Sequence, residues 1–140
     1  MFTLEWIKKR IKDIKRKHQT INPFSIAKDL GIVLSYAPLG ETLGFFFHDS
    51  RIKFININSD IDEQLQRFVC AHELGHAILH PRANTPFLKK NTFFSVDKIE
   101  LEANYFAVHL LLSNEDFQYY ETKQQILKEH GIPLEMERFL

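Results

Sequence analysis

Residues 70–80, "CAHELGHAILH", place two histidines four positions apart with a glutamate beside the first, a spacing that can do chemistry directly. On a helix, positions i and i+4 lie about 40° apart, so His72 and His76 point the same way and their imidazole nitrogens can converge on one ion. Glu73 sits about 100° from His72, close enough to take a proton from a water on that ion without binding the ion itself. The H-E-x-x-H pattern therefore supplies two zinc ligands and a general base from one helix. The competing explanation is two histidines satisfied by hydrogen bonds in a core. It is weakened by Leu65, Phe68, Val69 and Leu79 on the same helix side, where an unpartnered imidazole is costly.

Chemistry at zinc needs a third protein ligand and an open fourth position. The stretch "DKIELEANYFAVHLLL", residues 97–112, offers the ligand. With about 100° per residue, Glu100, Asn104, Ala107 and Leu111 share one face, while Glu102 and His109 fall opposite and read as a polar stripe toward water. Glu100 is the expected third ligand, against the alternative that it closes a capping box with Asp97. Asn104, one turn on, is placed to hold a ligand histidine by a hydrogen bond. Cys70 reads as a packed apolar residue, and the helix dipole accounts for His80 at the helix end before Pro81. His48, Tyr119 and Tyr120 could steady a transition-state oxyanion, but nothing singles one of them out.

Positioning these side chains falls to a sheet and several helices. Ser59 with Asp62 starts the metal helix, expected over 60–80 and stopped by Pro81; the second ligand helix is expected over 97–112. Residues 32–37 and the two strands of "LGFFFHDSRIKFININ", joined through Asp49-Ser50, make a small sheet over 32–58. Asn22, Pro23 and Gly31 bound a short helix. Ser113 with Asp116 begins another helix, Gly131 ends a further one, and "PLEMERFL" closes the chain as a helical turn or two. The segment from Pro81 to Ser95 is a loop, and loops of that length are usually functional or mobile. The expected fold is α+β, a three-stranded antiparallel sheet packed on a mainly helical domain, with residues 1–140 as one domain.

Composition narrows the function classes. One cysteine excludes an internal disulfide and a four-thiolate zinc site, which fits a reducing cytoplasm. No apolar run approaches the roughly 20 residues of a membrane span, and "MFTLEWIKKRIKDIKRK" has charge where a signal peptide needs its apolar stretch. Residues 1–20 carry seven Lys and Arg against Glu5 and Asp13, which leaves +5 in a chain of zero net charge. That is a possible nucleic-acid footprint. However, Leu4, Ile7, Ile11 and Ile14 recur at helical spacing, so a helix over 3–18 that docks this stripe and leaves its basic face in water explains the charge without DNA.

"RFVCAHELGHAILHP", followed after a loop by "IELEANYFAVHLLL", resembles the ImmA/IrrE family of zinc-dependent peptidases, and "FININSD" resembles that family's strand before the metal helix. The likeness spans roughly residues 20–115. It implies a zincin-like domain with a gluzincin-like site, in which His72, His76 and Glu100 bind zinc and Glu73 is catalytic. It also implies an intracellular enzyme that cleaves a helix-turn-helix repressor of a mobile element or stress response. Two features depart from the pattern: the second helix ends "HLLLS" rather than in a leucine-rich run followed by proline, and His109 stands where an acidic residue is common. With the chain ending at Leu140, the C-terminal extensions of some members are expected to be absent. Three functions compete: a zinc endopeptidase acting on a repressor, a non-catalytic zinc-containing anti-repressor acting by contact, and a DNA-binding protein using the basic helix. The pairing of the two motifs favours the first.

Overall fold

The computed structural model describes residues 4–140. Helix α1, Glu5–His18, buries Ile7 and Ile11 and leaves its lysines outward; residue 3 of the expected helix lies outside the described residues. Asn22 caps α2, Pro23–Asp29, by accepting the amides of Phe24 and Ser25, and Gly31 follows at φ 76°. The sheet contains β1 (Val33–Ala37), β2 (Gly44–Asp49) and β3 (Ile52–Asn58), followed by α3 (Glu63–Leu79), α4 (Lys98–Leu111) and α5 (Lys123–Glu129). Short 3-10 segments stand at Lys90–Phe94, Phe117–Tyr119 and Leu134–Phe139. The middle one, capped by Asp116, takes the place of the helix expected from Ser113.

The architecture is α+β, but the sheet is mixed rather than antiparallel. Its order is β1-β3-β2: β2 pairs antiparallel with β3, and β1 pairs parallel with β3. The reason is parity. Each connection reverses the chain, so β1 and β3 run the same way, and β3 takes the centre. The expected all-antiparallel sheet is corrected by the β1–β3 pairing alone. The hairpin turn is Ser50-Arg51 rather than Asp49-Ser50, with both residues at positive φ (49° and 72°) and Asp49 opposite Ile52. That is the backbone of a two-residue turn whose twist matches the strands.

Helix α3 is the central element, with every residue from Phe68 to Ala77 buried. The sheet covers one side through Phe46, Ile55 and Ile57, and α4 packs along another. Gly75 permits that packing: a Cβ there would stand 3.0 Å from the Phe106 ring. Helix α4 is covered in turn by α1 and by the closing 3-10 segment. Asp62, rather than Ser59, caps α3, its Oδ1 accepting the Leu65 amide at 2.8 Å. Asn58 holds the junction with β3. Its amide donates to the carbonyls of Gly40 and Thr42, and its Oδ1 accepts the Asp60 amide. Among the described residues no helix is long and apolar enough to cross a membrane.

Candidate metal centre

One helical turn separates His72 from His76, and their ring centroids stand 4.8 Å apart with the planes nearly perpendicular. Potential ligand atoms of His72, Glu73 and His76 all lie within 4.8 Å of one another. From α4, Glu100 comes closer still to the imidazoles, with Oε1 2.7 Å from His76 Nε2 and Oε2 3.5 Å from His72 Nε2. Asp97 precedes α4 without a side-chain capping bond, so the capping box that could have claimed Glu100 is not formed.

Both carboxylates and both Nε2 atoms are buried without a properly directed hydrogen bond. The 2.7 Å His76–Glu100 pair is close in distance yet poorly aligned for donation. Buried polar groups are otherwise almost always hydrogen-bonded, so six such atoms gathered at one point need a common partner. Two imidazole nitrogens and a carboxylate are a donor set for a divalent cation. The residues fit a metal.

The far side of each imidazole is also held. His72 Nδ1 lies 2.8 Å from Asn104 Oδ1, while Asn104 Nδ2 donates to the Thr92 carbonyl at 3.5 Å. The second contact fixes which way the amide points, so His72 donates from Nδ1 and its Nε2 keeps a lone pair. His76 Nδ1 lies 3.0 Å from His80 Nδ1, and His80 Nε2 lies 2.8 Å from Glu102 Oε1. This corrects the sequence reading of Glu102 as water-facing and of His80 as a residue explained by the helix dipole. His109 is not on a wet stripe either, since its Nε2 donates to the Phe139 carbonyl at 2.7 Å. Helix α4 is covered on both sides, so assigning one face to water misplaced Glu102 and His109. The signal that could have found the pair was His80 itself, one turn past His76.

Environment separates the two inner carboxyls. Burial, with Glu100 nearby and His72 opposing, pushes Glu73 up to about 7. Burial also pushes Glu100 up, but the close approach of His72 and His76 outweighs it and holds Glu100 down at about 2. Burial dominates at His76 and lowers it to about 4. At His72 the acidic neighbours overcome burial and raise it. Cys70 is fully buried, and its thiol is pushed up by burial and by Glu73, in keeping with an apolar packing role. Tyr119 is exposed, Tyr120 donates to Glu115, and His48 lies on the exposed half of β2. A groove of about 930 Å3 between the basic face of α1 and His109 shares no residue with the cluster.

Residues 27–139 match the family described as the IrrE N-terminal-like domain. The chain is 44% identical over 135 residues to "Uncharacterized immunity region protein 2" of Bacillus phage phi105, a match covering 93% of this chain and 85% of that one. It is 33% identical over 141 residues to "Metallopeptidase ImmA" of Bacillus subtilis (strain 168), covering 95% and 82%. With its paired histidines and inward carboxylates on two packed helices, the chain belongs to the ImmA/IrrE family of metallopeptidases.

Proposed function

We propose that this protein is a cytoplasmic zinc-dependent endopeptidase that cleaves a helix-turn-helix transcriptional repressor. The observation that carries the reading is the convergence of His72 Nε2, His76 Nε2 and the Glu100 carboxylate beside a second, differently tuned carboxyl, Glu73. His72, His76 and Glu100 hold the ion. Zinc bound there supplies Lewis-acid polarisation of the scissile carbonyl and of the attacking water. Glu100, held ionised, suits a ligand. Glu73, near neutrality, suits a base that removes the water's proton and returns it to the leaving amine. Asn104 keeps His72 in the tautomer that offers Nε2.

The substrate is an extended segment lying along β2, an edge strand. Backbone pairing holds a peptide straight with little demand on its sequence. That edge is partly covered by the chain itself. The Leu88 amide donates to the Gly44 carbonyl at 2.9 Å, the Leu43 amide to the Leu88 carbonyl at 2.7 Å, and the Thr85 hydroxyl to the Phe46 carbonyl at 3.4 Å. His72, Glu73 and His76 are wholly buried, so the closed arrangement must open before a peptide reaches them. Phe87 and Phe94, exposed on the segment between α3 and α4, offer selectivity contacts beyond the edge. The repressor as target is supported by the family and by the immunity-region name of the phage relative.

That burial also favours a second reading, a zinc-containing protein that inhibits its repressor by contact. Incubating the zinc-loaded protein and its Glu73→Gln variant with the repressor encoded beside its gene separates the two. Chelator-sensitive fragments from the wild type alone are expected. Binding without fragments would favour the contact inhibitor.

A further inference from the structure

His80 and Glu102 are nearly closed to solvent, with side-chain exposures of 8% and 7%, and the mechanism above uses neither. A carboxylate buried to that degree needs a partner, and Glu102 faces the His80 ring. The His80 ring is joined to His76 in turn. We infer that Glu102 and His80 are positioning residues that hold His76 in its metal-binding tautomer. Glu102 accepts the Nε2 proton of His80. His80 Nδ1 is then left with a lone pair, which accepts the Nδ1 proton of His76 across 3.0 Å. His76 Nε2 is left bare on the side that faces Glu100 and His72 Nε2.

The local backbone makes this possible. Helix α3 ends at Leu79, and His80 takes non-helical angles (φ −131°, ψ 52°) while its amide still bonds to the His76 carbonyl. Its ring thereby stands beside His76 and within reach of α4. The two ligand histidines are held by different chemistry. His72 is steadied by a neutral amide, whereas His76 is backed through an imidazole by a carboxylate, the arrangement that makes a ligand more basic.

The inference rests on the proposal that His76 holds a metal, and the test separates the two ideas. Zinc affinity of the full chain is measured by competition with a chromogenic chelator, alongside thermal unfolding of the metal-free protein and the visible spectrum of the cobalt form. His80→Ala and Glu102→Ala are expected to weaken zinc by roughly 10- to 100-fold and to shift the cobalt bands. Glu102→Gln, whose amide oxygen still accepts from His80, recovers much of the loss. The double variant is no worse than His80→Ala, because the two residues act in series. Affinities within about twofold of wild type in the folded single variants would overturn the inference, as would losses that multiply in the double variant. If His80→Ala fails to fold, equal affinity in Glu102→Ala and Glu102→Gln would overturn it. A wild type that binds no zinc would instead overturn the metal site beneath it.

Discussion

Glu73 and Glu100 share the same two histidines and are driven apart, one to about 7 and the other to about 2. The fold favours the neutral form of Glu73 over its ordinary value of 4.5. Its contribution to metal-free stability is therefore complete below about pH 4.5 and lost as pH rises through 7, a difference on the order of 3 kcal/mol. His76 and Glu100 act in the opposite sense, losing stability as pH falls through about 4 and about 2. Glu73→Gln isolates the first effect. Its melting temperature without metal is expected to match wild type near pH 4.5, to exceed it increasingly up to about pH 7 and to hold that margin above; a gap that does not change with pH would contradict the assignment. The meeting of His72, Glu73, His76, Glu100 and Asn104 was legible in the sequence because helical spacing fixes it within two elements. Glu102 was not, because a helical wheel gives one face to water and α4 is packed on both sides, and His80 was not, because its place at the end of α3 left the dipole as a sufficient reason for it.

The ends of α2 were legible from Asn22 and Gly31, whereas the start of α3 was read three residues early, at Ser59 instead of Asp62. Gly31 and Gly131, read as helix stops, follow α2 and α5 at positive φ. Strand order was not legible, since periodicity says which residues form a strand and nothing about which strand takes the centre. The 3-10 turn at Lys90–Phe94 was missed because five residues carry no period. Asn58 was overlooked as a polar residue in a strand. It is 1% exposed and makes three hydrogen bonds that tie the loop after β1 to the start of α3. Asn58→Ala strands those groups and is expected to destabilise the fold by about 2–4 kcal/mol in chemical denaturation. A loss under about 0.5 kcal/mol would show the junction to be held by other contacts.

For the molecule as a whole, the segment between α3 and α4 is tied to the site, its Thr92 carbonyl accepting from Asn104 and its Phe93 ring standing edge-on to Phe68. Leu88, within that segment, is fully buried and pairs with Gly44. Leu88→Ala removes about 2–5 kcal/mol from the closed arrangement. Extraction of bound zinc by a chelator should then quicken by at least about tenfold, whereas an unchanged rate would mean the metal leaves by another route. The central claim, that one ion is held by His72, His76 and Glu100 with Glu73 as base rather than ligand, is tested most directly by native mass spectrometry of zinc-loaded wild type, Glu73→Gln and Glu100→Ala. One zinc in wild type and in Glu73→Gln, and none in folded Glu100→Ala, is the predicted result. A folded Glu100→Ala that keeps its zinc, or a Glu73→Gln that loses it, would contradict the assignment.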